Sequence, residues 1–549
     1  MVKYKILLGA LVCFLVCDVV YAQSFSQADS LRGQITPARA CYNVLKYEID
    51  VKFPYLTGER DAAGKLKYPI QGSVLFIAAN TSDHQRLQLD LFAHLVIDSI
   101  VWKERHLSFT RIANAVFVDF PELQRAGEDL AFTVHYHGDL IIAKRAPWDG
   151  GFVFTTDNAK KPWIGVACEG FGASSWWPCK DHLSDEPDKG VRLNIHIPPN
   201  SGLLAVGNGR LTSQKTSADW EVFSWEVRNP INTYNVTVNI GDYTHFSDNY
   251  SDADGEERLL DYYVLSYQLA RAQAHFKQVG PMLQCFEKVF GPYAFWEDGY
   301  KLVETPYWGM EHQSAVAYGN NYKNNKWGFD FIIIHESAHE WWGNSVSVAD
   351  HADMWIHEGF TTYAETIYLE CQSNQANAST YLLEQRKRIA LKQPMVGPYE
   401  VNFTDADTDV YYKGAWMLHS MRNSLANDSL FFTYLKRCYQ QFYKQVTHTD
   451  AMLDFWILQM GENYRPAWEH YLFKITLPVL AWQQRGKGKK AKWYYRYEGV
   501  EDGFYLPLTL SDGRRIVPGK LWQLYEGDFN ATTEQHILTR YLLDVKKMN

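Results

Sequence analysis

Residues 331–344 read FIIIHESAHEWWGN, and WIHEGFTTYAE follows at 355–365. His335 and His339 are four apart, so on a helix both imidazoles project from one face, one turn apart, and reach a single ion. The apolar run Phe331–Ile334 places that helix in the interior, where a charged Glu336 is costly without a partner or a task. An isolated histidine on an apolar face is ordinarily a hydrogen-bonded core residue; a pair at this spacing with a carboxylate between them reads as a metal clamp. Glu358, with eighteen residues between it and His339, completes two His and one Glu, the donor set that leaves a tetrahedral zinc one open position. Glu336, one residue off the ligand line, is placed to take a proton from water and return it to a leaving amine. The expectation is amide hydrolysis with one Zn2+ per chain. Glu365, seven residues after Glu358, shares its helix face and either orients a ligating histidine or is an ordinary surface glutamate.

The remainder of the chain fits an exported, folded protein. It has 549 residues, 46% hydrophobic and 21% charged, enough for several domains. A net charge of -9 with no long like-charge run gives no footprint for nucleic acid or anionic lipid. Aromatic residues make up 15%, mostly for the core, with some rings free to line a cleft. MVKYKILLGALVCFLVCDVVYAQ has basic Lys3 and Lys5, an apolar stretch and small residues before Ala22: a signal peptide over residues 1–22, directing export to the periplasm or the medium. The apolar run is interrupted by Asp18 and falls short of the about 20 residues of a membrane span, so the mature chain is expected to have no transmembrane segment. Cys17 lacks the small preceding residue of a lipid anchor. Six cysteines then remain, Cys41, Cys168, Cys179, Cys285, Cys371 and Cys438; only Cys168 and Cys179 are near enough in sequence to suggest a local bridge. Asn235-Val236-Thr237 is a glycosylation sequon.

Period-two alternation marks YEIDVKF, LQLDLF, LAFTVHYH, RLNIHIP and NVTVNI between Tyr47 and Ile240, an N-terminal β domain over 23–264. Helical spacing begins at YQLARAQAHFKQVGPMLQCFEKVFG, interrupted near Gly280-Pro281, and dominates the zinc-dependent catalytic domain over 265–470. Strands return in 471–549, where Leu506, Leu508 and Leu510 alternate and Asp512-Gly513 suggests a two-residue hairpin. The stretch RGKGKKAK, 485–492, reads as a solvated loop.

These motifs resemble the gluzincin aminopeptidases of the aminopeptidase N type, a group that includes leukotriene-hydrolysing relatives. HESAHEWWGN with WIHEGF resembles the family's zinc signature, TPYWGMEHQSAVAYG (305–319) its Gly-x-Met-Glu-Asn segment, and YYKGAWML (411–418) its Tyr-x-Lys-Gly segment, all in the family's order over nearly the whole mature chain. The resemblance implies a multidomain α+β fold: an N-terminal β-sheet domain, a thermolysin-like, mainly helical catalytic domain and a small C-terminal β-sandwich. It also implies that His335, His339 and Glu358 bind zinc, that Glu336 is the base, and that Tyr411, rather than its neighbour Tyr412, donates to the developing oxyanion. Glu311 would bind the free α-amine of a peptide, Glu169 in VACEGFGASSWWPCKD would be the second amine-binding group, and Gly309 and Met310 would offer backbone to the substrate. His312 stands where the family has Asn, which puts the hydrogen bonding beside the amine pocket in question; Glu340 and His357 replace a Gln and an Asn. The chain stops without the large helical C-terminal domain of longer members, so a more open cleft is expected. The expected activity is an exported zinc aminopeptidase. An endopeptidase, an epoxide hydrolase and an inactive peptide-binding homologue are the alternatives.

Overall fold

The computed structural model describes residues 25–403, 407–487, 490–527 and 529–548; the export signal read at 1–22, with Cys17, lies outside the described residues. An eight-stranded sheet organises the first part: β1 (Tyr42–Lys52), β2 (Pro69–Asn80), β3 (Leu95–Trp102), β4 (Arg105–His106), β5 (Asp129–Asp139), β6 (Val191–Ile197), β7 (Arg210–Thr216) and β8 (Glu221–Val227). Their order is β7-β8-β6-β1-β2-β5-β3-β4, with β1 and β6 parallel and the other pairs antiparallel. The alternation has its expected cause. On β1, Tyr47, Ile49 and Val51 are fully buried while Glu48 and Asp50 are partly exposed, one face on the core and one toward water. NVTVNI departs from the strand reading: Thr233–Asn235 is a turn of 3-10 helix and only Asn239–Gly241 is strand. Its polar positions are buried too, Asn235 Nδ2 donating to Asn344 Oδ1 (2.8 Å) and Thr237 N to Asn208 Oδ1 (2.8 Å). That burial closes Asn235 to glycosylation.

A second sheet carries the site. β9 (Tyr243–Ser251), β10 (Glu257–Leu265), β11 (Tyr300–Glu304), β12 (Gly309–Met310) and β13 (Val316–Tyr318) lie in the order β9-β10-β11-β13-β12. This sheet runs across residue 264, where the sequence pattern changes to helical, so strands from both sides of that point share one ladder. Around it pack α1 (Val279–Val289), α2 (Phe331–Ala338), α3 (Trp355–Gln372), α4 (Gln375–Arg386) and α5 (Asp409–Leu425). The helical break falls at 276–278, ahead of Gly280-Pro281; Pro281 is tolerated in the first turn of α1, where its missing N–H has no intrahelical partner to lose.

Two helices cross with no side chain between them. A Cβ on Gly414 of α5 would lie 2.8 Å from Gly359 Cα, and one on Gly359 of α3 would lie 3.1 Å from Gly414 Cα. Only glycine on both helices permits this approach, and it fixes Glu358, next to Gly359, relative to Tyr411, three residues before Gly414.

In the C-terminal segment the strands Gln523–Tyr525, Lys492–Glu498, Val479–Arg485 and Asp544–Lys547 form a four-stranded sheet in that order. A separate hairpin pairs Leu508–Thr509 with Arg515–Ile516. Its loop has three residues rather than two, because Leu510 N donates to Arg514 O (2.8 Å), and Gly513 at φ 82° takes the left-handed position such a loop needs. The segment also contains α6 (Ala531–Leu538), capped by Asn530 accepting from Thr533 N at 3.1 Å, which the strand reading beyond residue 471 does not include.

The cysteine pairing differs from expectation. Cys285 of α1 is bonded to Cys371 of α3 across 86 residues, whereas Cys168 and Cys179 are free and buried. Cys179 is held on the strand His84–Asp90 by reciprocal backbone bonds with Asp90 (2.8 and 3.1 Å), and Cys168 Sγ points to Tyr234 O (3.5 Å); nearness in sequence did not bring the sulfurs together. No helix among the described residues is long and apolar enough to cross a membrane.

Replacing a helical glycine by alanine ordinarily stabilises by up to about 1 kcal/mol. At Gly414 the added methyl meets backbone, and overpacking of this kind costs roughly 1–3 kcal/mol. Gly414→Ala is therefore expected to lower the urea midpoint of the helical region, measured by circular dichroism; a raised midpoint would mean that α3 and α5 separate freely.

Candidate metal centre and cleft

The N-terminus of α2 is pinned before its ligands begin. The Asp330 carboxylate caps Ile332 N (3.0 Å) and accepts from Tyr318 OH (2.8 Å) of β13 and Asn320 Nδ2 (2.8 Å). Residues Ile332–Ala338 are all buried, so the histidine face looks into the protein. Glu358, in the first turn of α3, is only 5% exposed. Its Oε2 lies 3.4 Å from His335 Nε2 and 3.6 Å from His339 Nε2.

The far side of each imidazole is occupied. His335 Nδ1 is 2.7 Å from Glu365 Oε1, and His339 Nδ1 is 2.9 Å from Trp342 O and 3.2 Å from Thr361 Oγ1. A proton on each Nδ1 satisfies these acceptors and leaves the Nε2 lone pairs directed at one point. Glu358 Oε2, buried there without an aligned hydrogen-bond donor among the described residues, completes three convergent ligand atoms within 4.8 Å of one another. Two imidazoles and a carboxylate in this spacing fit a zinc ion with an open position. Burial raises the Glu358 pKa, yet the neighbouring His339 and His335 hold it below the usual carboxylate range. Glu365 is a buried group rather than a surface one, and accepts from Gln385 Nε2 (2.8 Å) and Tyr381 OH of α4.

Glu336 points from α2 toward β12. A Cβ on Gly309 would come within 2.7 Å of Glu336 Oε1 and 2.8 Å of Ile332 Cγ2, so the glycine is what lets the strand and this carboxylate share the space. Burial pushes Glu336 up to about 7, against the pull of His335 and His339. Tyr411, in the first turn of α5, is half-buried with its ring 6.2 Å from that of His335. Burial first, then Glu358 and Glu169, push its hydroxyl well above the ordinary tyrosine value, so it stays a donor. Tyr412 OH instead accepts from Arg388 Nη1 at 2.7 Å.

At the other end, Glu311 follows β12, buried, with Tyr234 OH donating to its Oε1 (2.8 Å). Asn344 Nδ2 holds the Glu311 carbonyl (2.8 Å). Glu169 is half-buried, its Oε1 without a partner among the described residues, and burial followed by Glu311 pushes its carboxyl well above the usual range. Glu169, Gly309, Met310, Glu311, His335, Glu336, His339, Glu358 and Tyr411 all line one cleft of about 1060 Å³. His312, Glu340 and His357 do not. His312 is fully buried with both ring nitrogens unpartnered among the described residues, and burial lowers it to about 3; one position past Glu311, it turns into the core instead of the amine end. Glu340 accepts from Ser314 N (2.7 Å), with burial raising it to about 8. Tyr234, Thr361, Tyr381 and Gln385 carry no signal in the sequence, where single polar residues at no fixed spacing mark nothing.

Residues 309–471 match the Peptidase family M1 domain. Human (Homo sapiens) aminopeptidase B is 24% identical over 377 residues, 64% of this chain and 53% of that protein. Leucyl aminopeptidase of Saccharolobus solfataricus is 20% identical over 508 residues, 86% of this chain and 59% of its own length; the chain thus spans little more than half of these relatives. In fold it is similar to a two-domain M1 zinc metallopeptidase bound to L-tryptophan, with TM-score 0.68, 22% identity and coverage of 82% of this chain and 98% of that one. The Deinococcus radiodurans M1 zinc metallopeptidase bound to a Tyr-Ser-Ala substrate gives TM-score 0.65 at 21% identity, over 80% and 96% of the two chains.

Outer hydrogen bonds of this kind typically change metal affinity about 10- to 100-fold. Glu365→Gln is expected to weaken zinc binding by about tenfold in a competition titration with a chelator, while the folded circular dichroism spectrum persists. An unchanged dissociation constant would remove Glu365 from that role.

Proposed function

We propose, from the match of residues 309–471 to the Peptidase family M1 domain, that this chain is a zinc aminopeptidase removing N-terminal residues from peptides. The observation that carries the reading is the pairing of the His335–His339–Glu358 cluster with a second acidic group, Glu311 and Glu169, lining the same cleft. The aminopeptidase names of the sequence relatives support it.

Zinc held by the two Nε2 atoms and Glu358, one ion per chain, would supply a Lewis acid that polarises the scissile carbonyl and acidifies a water beside it. The protein's own groups do the rest. Glu311 and Glu169 accept hydrogen bonds from the peptide's α-ammonium, a charge-assisted contact that only a free amine makes. The edge of β12 at Gly309 and Met310 holds the peptide main chain. Glu336 takes the proton of the attacking water and passes it to the amine that leaves. Tyr411 OH donates to the oxygen of the addressed carbonyl as negative charge builds on it, so its contact strengthens in the transition state. Glu365 and the Trp342 carbonyl keep His335 and His339 in the tautomer that turns Nε2 inward.

An endopeptidase would have no use for two carboxylates at the amine end, and Glu311 and Glu169 together in the cleft favour the exopeptidase reading over it. We also read residues 1–22 as an export signal cleaved near Ala22; the Cys285–Cys371 bond supports it, because structural disulfides persist in oxidising compartments.

Glu336→Gln is expected to retain zinc, by metal analysis, and to lower kcat by about 10²–10⁴-fold; undiminished turnover would dismiss Glu336 as the base. Peptides with an acetylated N-terminus are expected to resist cleavage. Equal hydrolysis of blocked and free peptides would turn the assignment to an endopeptidase.

A further inference from the structure

β12 is the last strand of its sheet, paired to β13 through Gly309 with Tyr318 and Met310 with Ala317. Its other edge borders the cleft. A peptide whose amine sits at Glu311 and whose chain follows this edge runs back past Met310 and Gly309 to Trp308. At about 3.3 Å per residue, the positions beyond the scissile bond fall at Trp308 and outward from it.

There the wall changes character. Trp148 and Trp308 are 71% and 42% exposed, in a chain whose largest side chains are otherwise mostly buried. Their rings lie 6.0 Å apart, and Trp308 in turn lies 5.6 Å from Phe331, which stacks at 5.1 Å on His335. A continuous aromatic surface leads from the mouth of the cleft to a metal-site imidazole.

Trp308 and the loop carrying Trp148 are held in place, and both indole faces are open. Trp308 Nε1 donates to Asn320 Oδ1 (3.1 Å). The Trp148 loop is closed by the Asp149 carboxylate accepting from Lys144 N (2.8 Å) and Arg145 N (2.9 Å). It also presses on the segment carrying Glu169, where a Cβ on Gly150 would lie 2.2 Å from Phe171 Cβ. A ring fixed like that of Trp308 binds apolar groups with little ordering cost, and a rigid loop keeps Trp148 at the wall.

We propose that Trp148 and Trp308 form a docking wall for aromatic and bulky apolar side chains of the peptide downstream of the scissile bond. The enzyme then selects a substrate by residues it leaves behind as well as by the one it removes. This rests on the aminopeptidase reading and extends it to substrate class. The exposed pair is explained by it, since an unoccupied apolar surface of this kind on a cleft rim has no packing role.

The test compares Leu-Gly-Phe-Phe amide, Leu-Gly-Gly-Gly amide and leucinamide, which releases only ammonia and places nothing on the wall, with the zinc-loaded enzyme. An aromatic contact of this type is worth about three- to tenfold, so the wild-type KM should be lower by that factor for the Phe peptide than for the Gly peptide. In Trp148→Ala the difference should vanish through KM with kcat retained, while Trp148→Phe keeps most of it and leucinamide is hydrolysed as before by both. Equal KM values in the wild type, or a preference that survives Trp148→Ala, would overturn the wall. Failure of all three substrates, leucinamide included, would instead strike the aminopeptidase reading.

Discussion

Four carboxylates, those of Glu169, Glu311, Glu336 and Glu358, open into one cleft beside two imidazoles. Like charges in a partly water-excluded space repel strongly, and the surrounding structure is arranged to contain that repulsion. Glu358 sits between His335 and His339, Glu311 receives the Tyr234 hydroxyl, and burial pushes Glu336 and Glu169 toward their neutral forms. The negative charge that remains is divided into two places, one suited to a dication and one to an ammonium. A substrate with a free amine is thus recognised by the same electrostatic imbalance that retains the metal.

The parts of the site legible in the sequence were those set by helical periodicity. His335, Glu336 and His339 depend only on 3.6 residues per turn, and Glu358 and Glu365 on the same rule one helix later. Glu311, Glu169 and Tyr411 have no such local rule and were reached by resemblance alone. Of the partners that finish the site, Tyr234, Tyr381 and Gln385 come from other elements and the Trp342 carbonyl from the turn three residues after His339, and nothing in the local pattern marks them. The His312 substitution looked significant because of its neighbour, but strand-end geometry sends adjacent residues in different directions.

The fold was readable to the same depth. Alternation identified three strands of the eight-stranded sheet, those holding YEIDVKF, LAFTVHYH and RLNIHIP, because one face of each is solvated. It failed at NVTVNI, where Asn235, Thr237 and Asn239 are as buried as the valines between them and their N–H groups donate to other buried residues instead of water. The disulfide follows from tertiary structure for a related reason: Cys285 and Cys371 meet because two helices pack, while Cys179 is bridged to Asp90 and Cys168 turns toward Tyr234.

The contact between Gly359 and Gly414 has a genetic corollary. In most helix crossings an enlarged residue on one side can be accommodated by a smaller one opposite, so damage at such a place has an obvious second-site remedy. Here both partners already carry only hydrogen, and no smaller amino acid exists. Relief of a lesion at either position must come from elsewhere in the chain, which leaves these two sites no way to drift together.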